Sequence, residues 1–153
     1  MVERCMYDSN RLTNNAVRAL WWAQVEAHSR RHNFCGVDDL FYAVASETRT
    51  SEILRVAGIT SQKIHSVISR TTGNDATIDE YIAFTTNAKA AIEMAFEIAD
   101  NCVDPKIDCI HILCALLSEP IVKDLDLVLK SFNADPEQLL VEAYRRISAG
   151  SIS

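Results

Sequence analysis

The sequence predicts an all-α protein in which two four-helix repeats form one eight-helix bundle about a pseudo-twofold axis. Three observations lead to this prediction. A 36-residue stretch occurs twice, apolar residues recur at helical spacing, and no alternation of β-branched residues lasts more than a few positions. A chain of 153 residues with 48% apolar content is large enough for two such repeats to share one core.

The internal repeat is visible when the sequence is shifted by 72 residues, because residues 12–47 then align with residues 84–119 without a gap. Nine of these positions are identical, whereas composition alone would give about two or three. The second copy then contains three extra residues, after which the alignment resumes and Gly58 corresponds to Asn133.

The repeat sets the predicted organisation of the chain. Residues 1–11 are polar and lack periodicity, so they form a lead-in. Repeat one covers residues 12–70 and repeat two covers residues 82–147, with a tail over 148–153. The linker is predicted over residues 71–81 (TTGNDATIDEY), where glycine, asparagine, aspartate and threonine replace the apolar spacing.

The first helix of each repeat is predicted to begin after a threonine, Thr13 or Thr85, because a threonine before an apolar-periodic run is a good N-cap. Helix one extends to about Arg31. Four alanines lie on one face of each first helix, so that another helix can approach closely. Our hypothesis is that these two faces pack against each other. The alanines are Ala16, Ala19, Ala23 and Ala27 in the first copy and Ala88, Ala91, Ala95 and Ala99 in the second.

Three shorter helices complete repeat one. The second is predicted over residues 37–46, and the third is predicted to begin near Thr50 or Ser51 and to end at Gly58, which suits the left-handed C′ position. Thr60 is predicted to cap the fourth helix.

The second copy repeats this pattern with stronger signals. Asn133 stands at the C′ place, and it is followed by Asp135, Pro136 and Gln138 at the N-cap, N1 and N3 positions of a helix start. We therefore expect four helices in each copy.

Adjacent tryptophans interrupt the pattern of helix one. Trp21 and Trp22 point about 100° apart on a helix, so one narrow apolar stripe cannot bury both. We expect one in the core and the other partly exposed, where it would be available as an interface anchor.

Composition narrows the classes of function. A net charge of −6 and a pI near 5.1 argue against nucleic acid as a partner. Five cysteines without regular spacing are typical of reduced thiols. No apolar run has the roughly 18 residues of a membrane span, and the first residues lack the apolar segment of a secretory signal. We expect a cytoplasmic protein with no membrane partner, or a plastid stromal one if a transit peptide has been removed.

Three motifs go beyond helical periodicity: L-T-x-x-A-x-x-A-L-x-x-A from Leu12, H-N-F-x-G-x-D-x-L from His32, and I-L-x-x-x-G-I-T from Ile53. They resemble the amino-terminal repeat of Clp ATPases, which reads roughly F-T-x-x-A-x-x-A-L-x-x-A, then H-N-Y-I-G-T-E-H-L-L-L-G-L, then V-L-x-x-L-G-V-D. The resemblance extends to about residue 147 and includes both copies. It implies a compact pseudo-twofold bundle and a non-catalytic module that binds adaptor proteins, substrates, or Clp ATPase and protease subunits.

The resemblance also suggests which residues bind. Each family repeat contains G-T-E-H, and in some bacterial members the two glutamates bind phosphorylated arginine. The first copy here offers Asp38 and Asp39 at the last two of these positions, and the second offers Ile110 and His111. The candidate protein-binding residues are thus Asp38, Asp39 and His111, together with the two threonines at the family's threonine position, Thr13 and Thr85.

The second copy departs from the family at Ile110. A guanidinium held by Asp38 alone lacks its second charge-assisted partner. We therefore expect asymmetric binding, with polar recognition beside Asp38 and an apolar surface beside Ile110, and weak or no binding of free phosphoarginine.

Three alternatives to a stand-alone accessory module remain open. The chain could be the amino-terminal domain of a Clp ATPase. Its four glycines include no G-x-x-x-x-G-K-[ST] loop that would cradle a phosphate, so we expect no ATPase activity by that route from these residues themselves. In a different class, Cys109, His111 and Cys114 could serve a cysteine-dependent enzyme or a metal site. Residues 109 and 111 point about 160° apart on a helix, so we expect structural thiols and neither metal nor cofactor. A general helical-repeat scaffold is the third class.

Overall fold

The computed structural model describes residues 9–69 and 83–149, and within this part of the chain it contains eight α-helices and no strand. The all-α, two-repeat fold is therefore confirmed. Two 3₁₀ turns, Ser9–Arg11 and Ile121–Leu125, accompany the helices. The proposed linker and residues 1–8 of the lead-in lie outside the described residues. The helices are α1 Asn14–Ser29, α2 Val37–Ala45, α3 Thr48–Arg55, α4 Ser61–Ser69, α5 Thr86–Asn101, α6 Cys109–Leu116, α7 Asp126–Ser131 and α8 Pro136–Ala149.

Helix packing follows the pseudo-twofold relation. Helix α1 packs on α2 as α5 packs on α6, and α3 packs on α8 as α4 packs on α7. Helices α2 and α6 meet at the centre of the bundle. Every side chain of α6 is buried, so the most apolar helix lies where both of its sides are covered.

The hypothesis that the alanine faces of α1 and α5 pack against each other is wrong. These two helices make no extensive mutual contact among the described residues. The alanines are buried, but each face accommodates the second helix of its own repeat. Small residues there let α2 and α6 come close to the long helices while still meeting each other at the centre.

Each repeat also pairs a short backbone segment with a loop of the other repeat. The Thr13 N–H donates to the Ile107 carbonyl (3.0 Å), and the Thr85 N–H donates to the Cys35 carbonyl (2.9 Å). Each contact is one residue of bridge pairing, Leu12 with Ile107 and Phe84 with Cys35. Residues 35 and 107 are equivalent at the repeat offset, so each repeat begins by pairing with the interhelical loop of the other.

Most of the predicted N-caps are confirmed. Thr13 and Thr85 accept from the N–H groups of Ala16 and Ala88, both at 3.1 Å. Thr60 accepts from the Lys63 N–H.

The predicted start of α3 is wrong. The helix begins at Thr48, and its N-cap is Glu47, whose carboxylate accepts from the Arg49 and Thr50 N–H groups. Thr50 is buried and its hydroxyl donates to the Val44 carbonyl, so this side chain ties α3 back to α2.

Among the described residues, four helices end in the left-handed conformation. Gly58 (φ 78°) and Asn133 (φ 53°) do so as predicted, and Arg31 (φ 60°) and Val103 (φ 59°) do so without a sequence signal. In each case the following N–H donates to the carbonyl five residues earlier, as His32 does to Ala27, so the last turn of each helix is closed.

The tryptophan prediction is wrong in part, because both side chains are exposed, Trp21 by 52% and Trp22 by 39%. Leu20 and the alanines fill the inward face of α1, so both neighbouring indoles fall on the outer face. None of the helices in residues 9–69 and 83–149 has the length and apolar character needed to cross a bilayer.

Candidate functional site

A groove of about 570 Å³ lies where the start of α2 meets the start of α5. We call it the junction groove, because both repeats line it. Repeat one contributes Gly36, Val37 and Asp38, and repeat two contributes Thr85, Thr86, Asn87 and Asp124. The structure thus brings together two of the candidate binding residues, Asp38 and Thr85.

The junction groove is acidic. Asp38 accepts a hydrogen bond from the Asp39 N–H (2.9 Å), and Asp124 accepts one from the Asn87 side-chain amide (2.8 Å). Burial, followed by the neighbouring Asp39 charge, raises the pKa of Asp38. Within the described residues neither Asp38 nor Asp124 forms an ion pair, so both carboxylates can accept a cationic group.

Gly36 holds Asp38 in this position. A Cβ at residue 36 would lie 3.0 Å from the Asp38 carboxylate oxygen. A side chain there would therefore displace the carboxylate or change its angle to the groove.

Asp39, the next residue, is fully buried and serves the fold. Its carboxylate accepts from Arg30 (2.9 Å) and from the Gly36 N–H (3.1 Å), and it lies 3.1 Å from His32 Nδ1. The hydrogen bond to Asp39 raises the pKa of His32. The side chain of Asp39 is thus not available to a partner in this conformation.

Arg30, the cationic partner of Asp39, is held equally firmly. It forms a second salt bridge with Glu26 (3.0 Å), and its guanidinium lies 5.0 Å from the centre of the Tyr42 ring. The loop between α1 and α2 is therefore fixed by a buried network of charged side chains.

His111 is the counterpart of Asp39 and is also fully buried. Its Nδ1 accepts from the Asp108 N–H (2.9 Å), and its Nε2 lies 2.8 Å from the Asp104 carboxylate. At the repeat offset His32 corresponds to Asp104 and Asp39 to His111. Both repeats therefore contain the same imidazole–carboxylate pair with the two partners exchanged. The sequence signal that could have revealed this pair is the reversed order of His and Asp at equivalent positions.

Thr13 lies at a second junction, where the start of α1 meets the start of α6, and not beside Asp38. Its hydroxyl donates to the Asp108 carboxylate (2.6 Å), which lies 3.9 Å from Arg49. Ile110 is fully buried, so the expectation that it presents an apolar surface is wrong. The second junction thus pairs its acid with a threonine and an arginine, whereas the acids of the junction groove have no ionic partner in residues 9–69 and 83–149.

The two candidate thiols, Cys109 and Cys114, lack the features of a nucleophile. Cys109 and Cys114 are fully buried, and burial raises the pKa of Cys109 and raises that of Cys114 to about 12. An activated cysteine requires the opposite shift and an accessible position. Among the described residues no three His, Cys, Asp or Glu side chains are placed to hold a metal ion. The cysteine-dependent enzyme is therefore not favoured.

Comparison with known proteins identifies the repeat. The family of Clp repeat (R) N-terminal domains matches residues 11–125. The chain is 30% identical over 152 residues to the chloroplastic chaperone protein ClpC2 of Oryza sativa, a match that covers 95% of this chain. It is 27% identical over 143 residues to chloroplastic ClpC1 of Arabidopsis thaliana, covering 90% of this chain. The matched regions are 16% and 15% of the lengths of those two proteins.

Solved structures show the same fold. The N-terminal domain of the caseinolytic protease associated chaperone ClpD from Arabidopsis thaliana superposes with a TM-score of 0.76 at 23% identity, covering 92% of this chain and 97% of that domain. The Hsp104 N-terminal domain from Candida albicans gives a TM-score of 0.75 at 18% identity, covering 90% and 92%. From the family match, the paired repeats and the shared fold, it follows that this chain belongs to the family of Clp repeat (R) N-terminal domains.

Proposed function

We propose that this chain is the protein-binding module of a Clp-type chaperone or protease system, and that it binds its partners through the junction groove. The partners would be adaptor proteins, substrates, or Clp ATPase and protease subunits. The observation that carries the proposal is that two carboxylates, Asp38 and Asp124, lie in a groove that both repeats line and have no ionic partner among the described residues. A polar groove of this size suits a side chain of a bound peptide.

The charged and polar side chains of the junction groove favour a cationic group as its ligand. Its acids require a cation, and Thr85 and Asn87 at the start of α5 add polar groups beside them. An arginine or lysine side chain of a partner satisfies this arrangement, because a charge-assisted hydrogen bond replaces the water around both groups.

A peptide titration tests the role of the groove. We expect an arginine-containing peptide to bind wild-type protein and to lose roughly tenfold or more in affinity with Asp38→Asn, since hydrogen bonds to charged groups contribute about 1.5–3 kcal/mol. Glu93→Gln is the matched control, because it removes the same charge from an exposed position of α5. Equal affinity of wild type and Asp38→Asn would refute the role of the groove.

A pull-down tests the partner class. Wild-type protein and the Asp38→Asn, Asp124→Asn double variant would be used as baits in extract of the source organism. We expect the wild type to recover Clp ATPase or protease subunits or their substrates, and the variant to recover less. Recovery of no Clp component by either bait would remove the link to the Clp system.

The second candidate is the amino-terminal domain of a longer Clp ATPase. The chain spans only about one sixth of the length of the relatives that it matches, as such a domain would. Sequencing the gene beyond Ser153 decides between the two: a G-x-x-x-x-G-K-[ST] motif downstream identifies an ATPase, and a stop codon identifies an accessory subunit.

The two ClpC relatives named above are chloroplastic, and this supports the plastid stroma over the cytosol as the compartment. A fluorescent fusion to the complete gene product would show plastid fluorescence. Diffuse cytosolic fluorescence would contradict this assignment.

A further inference from the structure

The outer face of α1 carries a row of apolar side chains. Trp21 is 52% exposed, Val17 is 37% exposed and Val25 is half-buried. At 100° per residue all three point within about 40° of one direction. A polar side chain ends the row on each side, Asn14 before it and His28 after it. We call these five residues the α1 stripe, and none of them lines the junction groove.

The second repeat shows that the fold does not require the α1 stripe. Helices α1 and α5 have the same length, the same threonine N-cap and the same buried alanine face. Charged side chains are usual on the solvent side of a surface helix, and α5 has them at four of the five equivalent places. The apolar outer face of α1 is therefore not needed for packing within the chain. The equivalent residues of α5 are Thr86, Lys89, Glu93, Glu97 and Asp100.

The order of side chains in the α1 stripe is the same in both directions from Trp21. Valines lie four residues before and after it, and polar residues lie seven before and after it. When a second copy of α1 lies antiparallel across the stripe, Trp21 meets its own copy and Val17 of each chain meets Val25 of the other. Asn14 then lies opposite His28, where its amide N–H can donate to an imidazole nitrogen. This is the self-complementary pattern of a twofold contact, in which residue i meets j and j meets i.

The charges beside the α1 stripe favour the antiparallel direction. Among the exposed side chains of α1 only Arg18 is charged, and Glu47 lines the same cleft and supplies a nearby negative charge. Arg18 lies three residues from Trp21, so an antiparallel pair separates the two arginines by about 9 Å along the helix axes, roughly one Debye length. A parallel pair would place them side by side.

We propose that two copies of this chain associate through the α1 stripe as an antiparallel, twofold-symmetric pair centred on Trp21. Helix α1 has 16 residues, so it is about 24 Å long and about 10 Å wide, and the pair covers roughly 500 Å² in total. Stable interfaces bury about 1,200–2,000 Å², so the dimer is weak and reversible. It is independent of the binding role proposed for the junction groove.

Sedimentation equilibrium of the full chain from about 10 µM to 1 mM measures this association. We expect a monomer–dimer equilibrium whose dissociation constant rises about tenfold or more in Trp21→Glu, because two unpaired carboxylates then meet at the twofold axis. Repeat two has Glu93 at this place, so the helix accepts glutamate there. Circular dichroism confirms that the variant retains its fold.

Two control variants separate the α1 stripe from general charge and from the junction groove. Gln138→Glu adds the same charge at an exposed position of α8, which makes no extensive contact with α1 among the described residues. It should leave the dissociation constant within about twofold, because a distant surface charge is screened. Asp38→Asn should leave the dimer unchanged, so the dimer and the junction groove are tested separately.

Cysteine cross-linking tests the antiparallel register. Tagged Val17→Cys and untagged Val25→Cys are mixed and oxidised with copper–phenanthroline, both in a Cys5→Ser, Cys102→Ser background, since the other three cysteines are buried. Facing helices 8–10 Å apart bring opposed Cα atoms to roughly 6 Å, which a disulfide can span. We therefore expect a disulfide between a tagged and an untagged chain as the main product.

Three results would overturn the proposal. The first is a monomer at every concentration, and loss of a pull-down partner by a Trp21→Glu bait would then assign the α1 stripe to a different protein. The second is a dimer that Trp21→Glu leaves unchanged, because another surface would then make the contact. The third is cross-linking mainly between two tagged or two untagged chains, because the helices would then be parallel.

Discussion

At the scale of single residues, both repeats contain the same imidazole–carboxylate contact, but histidine and aspartate have exchanged positions. Asp39 with His32 and His111 with Asp104 occupy equivalent places, and each pair joins the loop after a long helix to the helix that follows. Asp39 keeps its salt bridge with Arg30 when His32 is replaced, so loss of this histidine should cost less than the about 3–5 kcal/mol that is typical of an uncompensated buried charge.

Reversing the pair in repeat one tests whether the two arrangements are interchangeable. We expect Asp39→His alone and His32→Asp alone each to destabilise the protein, since like groups then face each other. In an Arg30→Cys background the double variant should be at least about 1 kcal/mol more stable than Asp39→His alone, because repeat two has Cys102 at the position of Arg30 and the double variant then copies its arrangement. Urea denaturation followed by circular dichroism measures these free energies.

Asp126, which lies on α7, provides the control for this double-mutant comparison. Asp126→His combined with His32→Asp should be additive, since residue 126 lies on α7 and contacts neither partner. If the Asp39→His, His32→Asp pair were also additive, the two repeats would not be using equivalent contacts.

The sequence was informative at some of these residues and not at others. The capping roles of Thr13 and Thr85 follow from residue type and local spacing, and both were predicted. Asp39 and His111 are buried together with partners that lie seven residues away across a loop. The local spacing of apolar residues does not show which side of a helix such a loop covers. The binding roles assigned to these four residues and to Asp38 remain predictions.

At the scale of elements, helix ends divide into those with a sequence signal and those without. Glycine and asparagine tolerate positive φ, so the turns at Gly58 and Asn133 were predictable. Arg31 and Val103 adopt the same conformation because the next residue closes the helix and leads into a paired loop. A β-branched residue is strained there, and tertiary contacts impose the conformation on Val103.

Val103→Gly should therefore stabilise the protein. Val103 is 87% exposed, so the substitution loses little packing while it removes the strain of a left-handed valine. Left-handed residues other than glycine cost roughly 1–2 kcal/mol, and the greater freedom of glycine in the unfolded chain offsets part of this gain. We expect a net gain of about 0.5–1 kcal/mol in the free energy of unfolding by urea.

Val56→Gly is the matched comparison, because Val56 is 84% exposed and has helical angles (φ −59°, ψ −32°). It should lower stability by a few tenths of a kcal/mol. The same sign of change in both variants would show that strain at residue 103 is negligible.

At the scale of the whole molecule, neither repeat has a core of its own. Helices α2 and α6 cover each other, and the first residues of each repeat pair with a loop of the other. Periodicity predicted all eight helices and the repeat predicted their symmetry. The central pairing was missed, because alanine stripes mark where a helix can approach without showing which helix does.

Splitting the chain within the predicted linker should therefore unfold both halves. Residues 1–75 and 76–153, made separately, should show little helical circular dichroism and no cooperative transition, since each exposes the apolar faces of its central helix. Mixing the two should restore helical signal with a dependence on concentration. A cooperative thermal transition in isolated repeat one would contradict this view.

The exchanged bridges also affect the chain while it is being made. Cys35 pairs with Phe84, and Leu12 pairs with Ile107, so repeat one cannot complete its contacts until most of repeat two has left the ribosome. At about 5–20 residues per second, residue 107 emerges roughly 4 to 14 seconds after residue 35. Throughout that interval the nascent chain exposes the apolar side of α2, which later packs against α6.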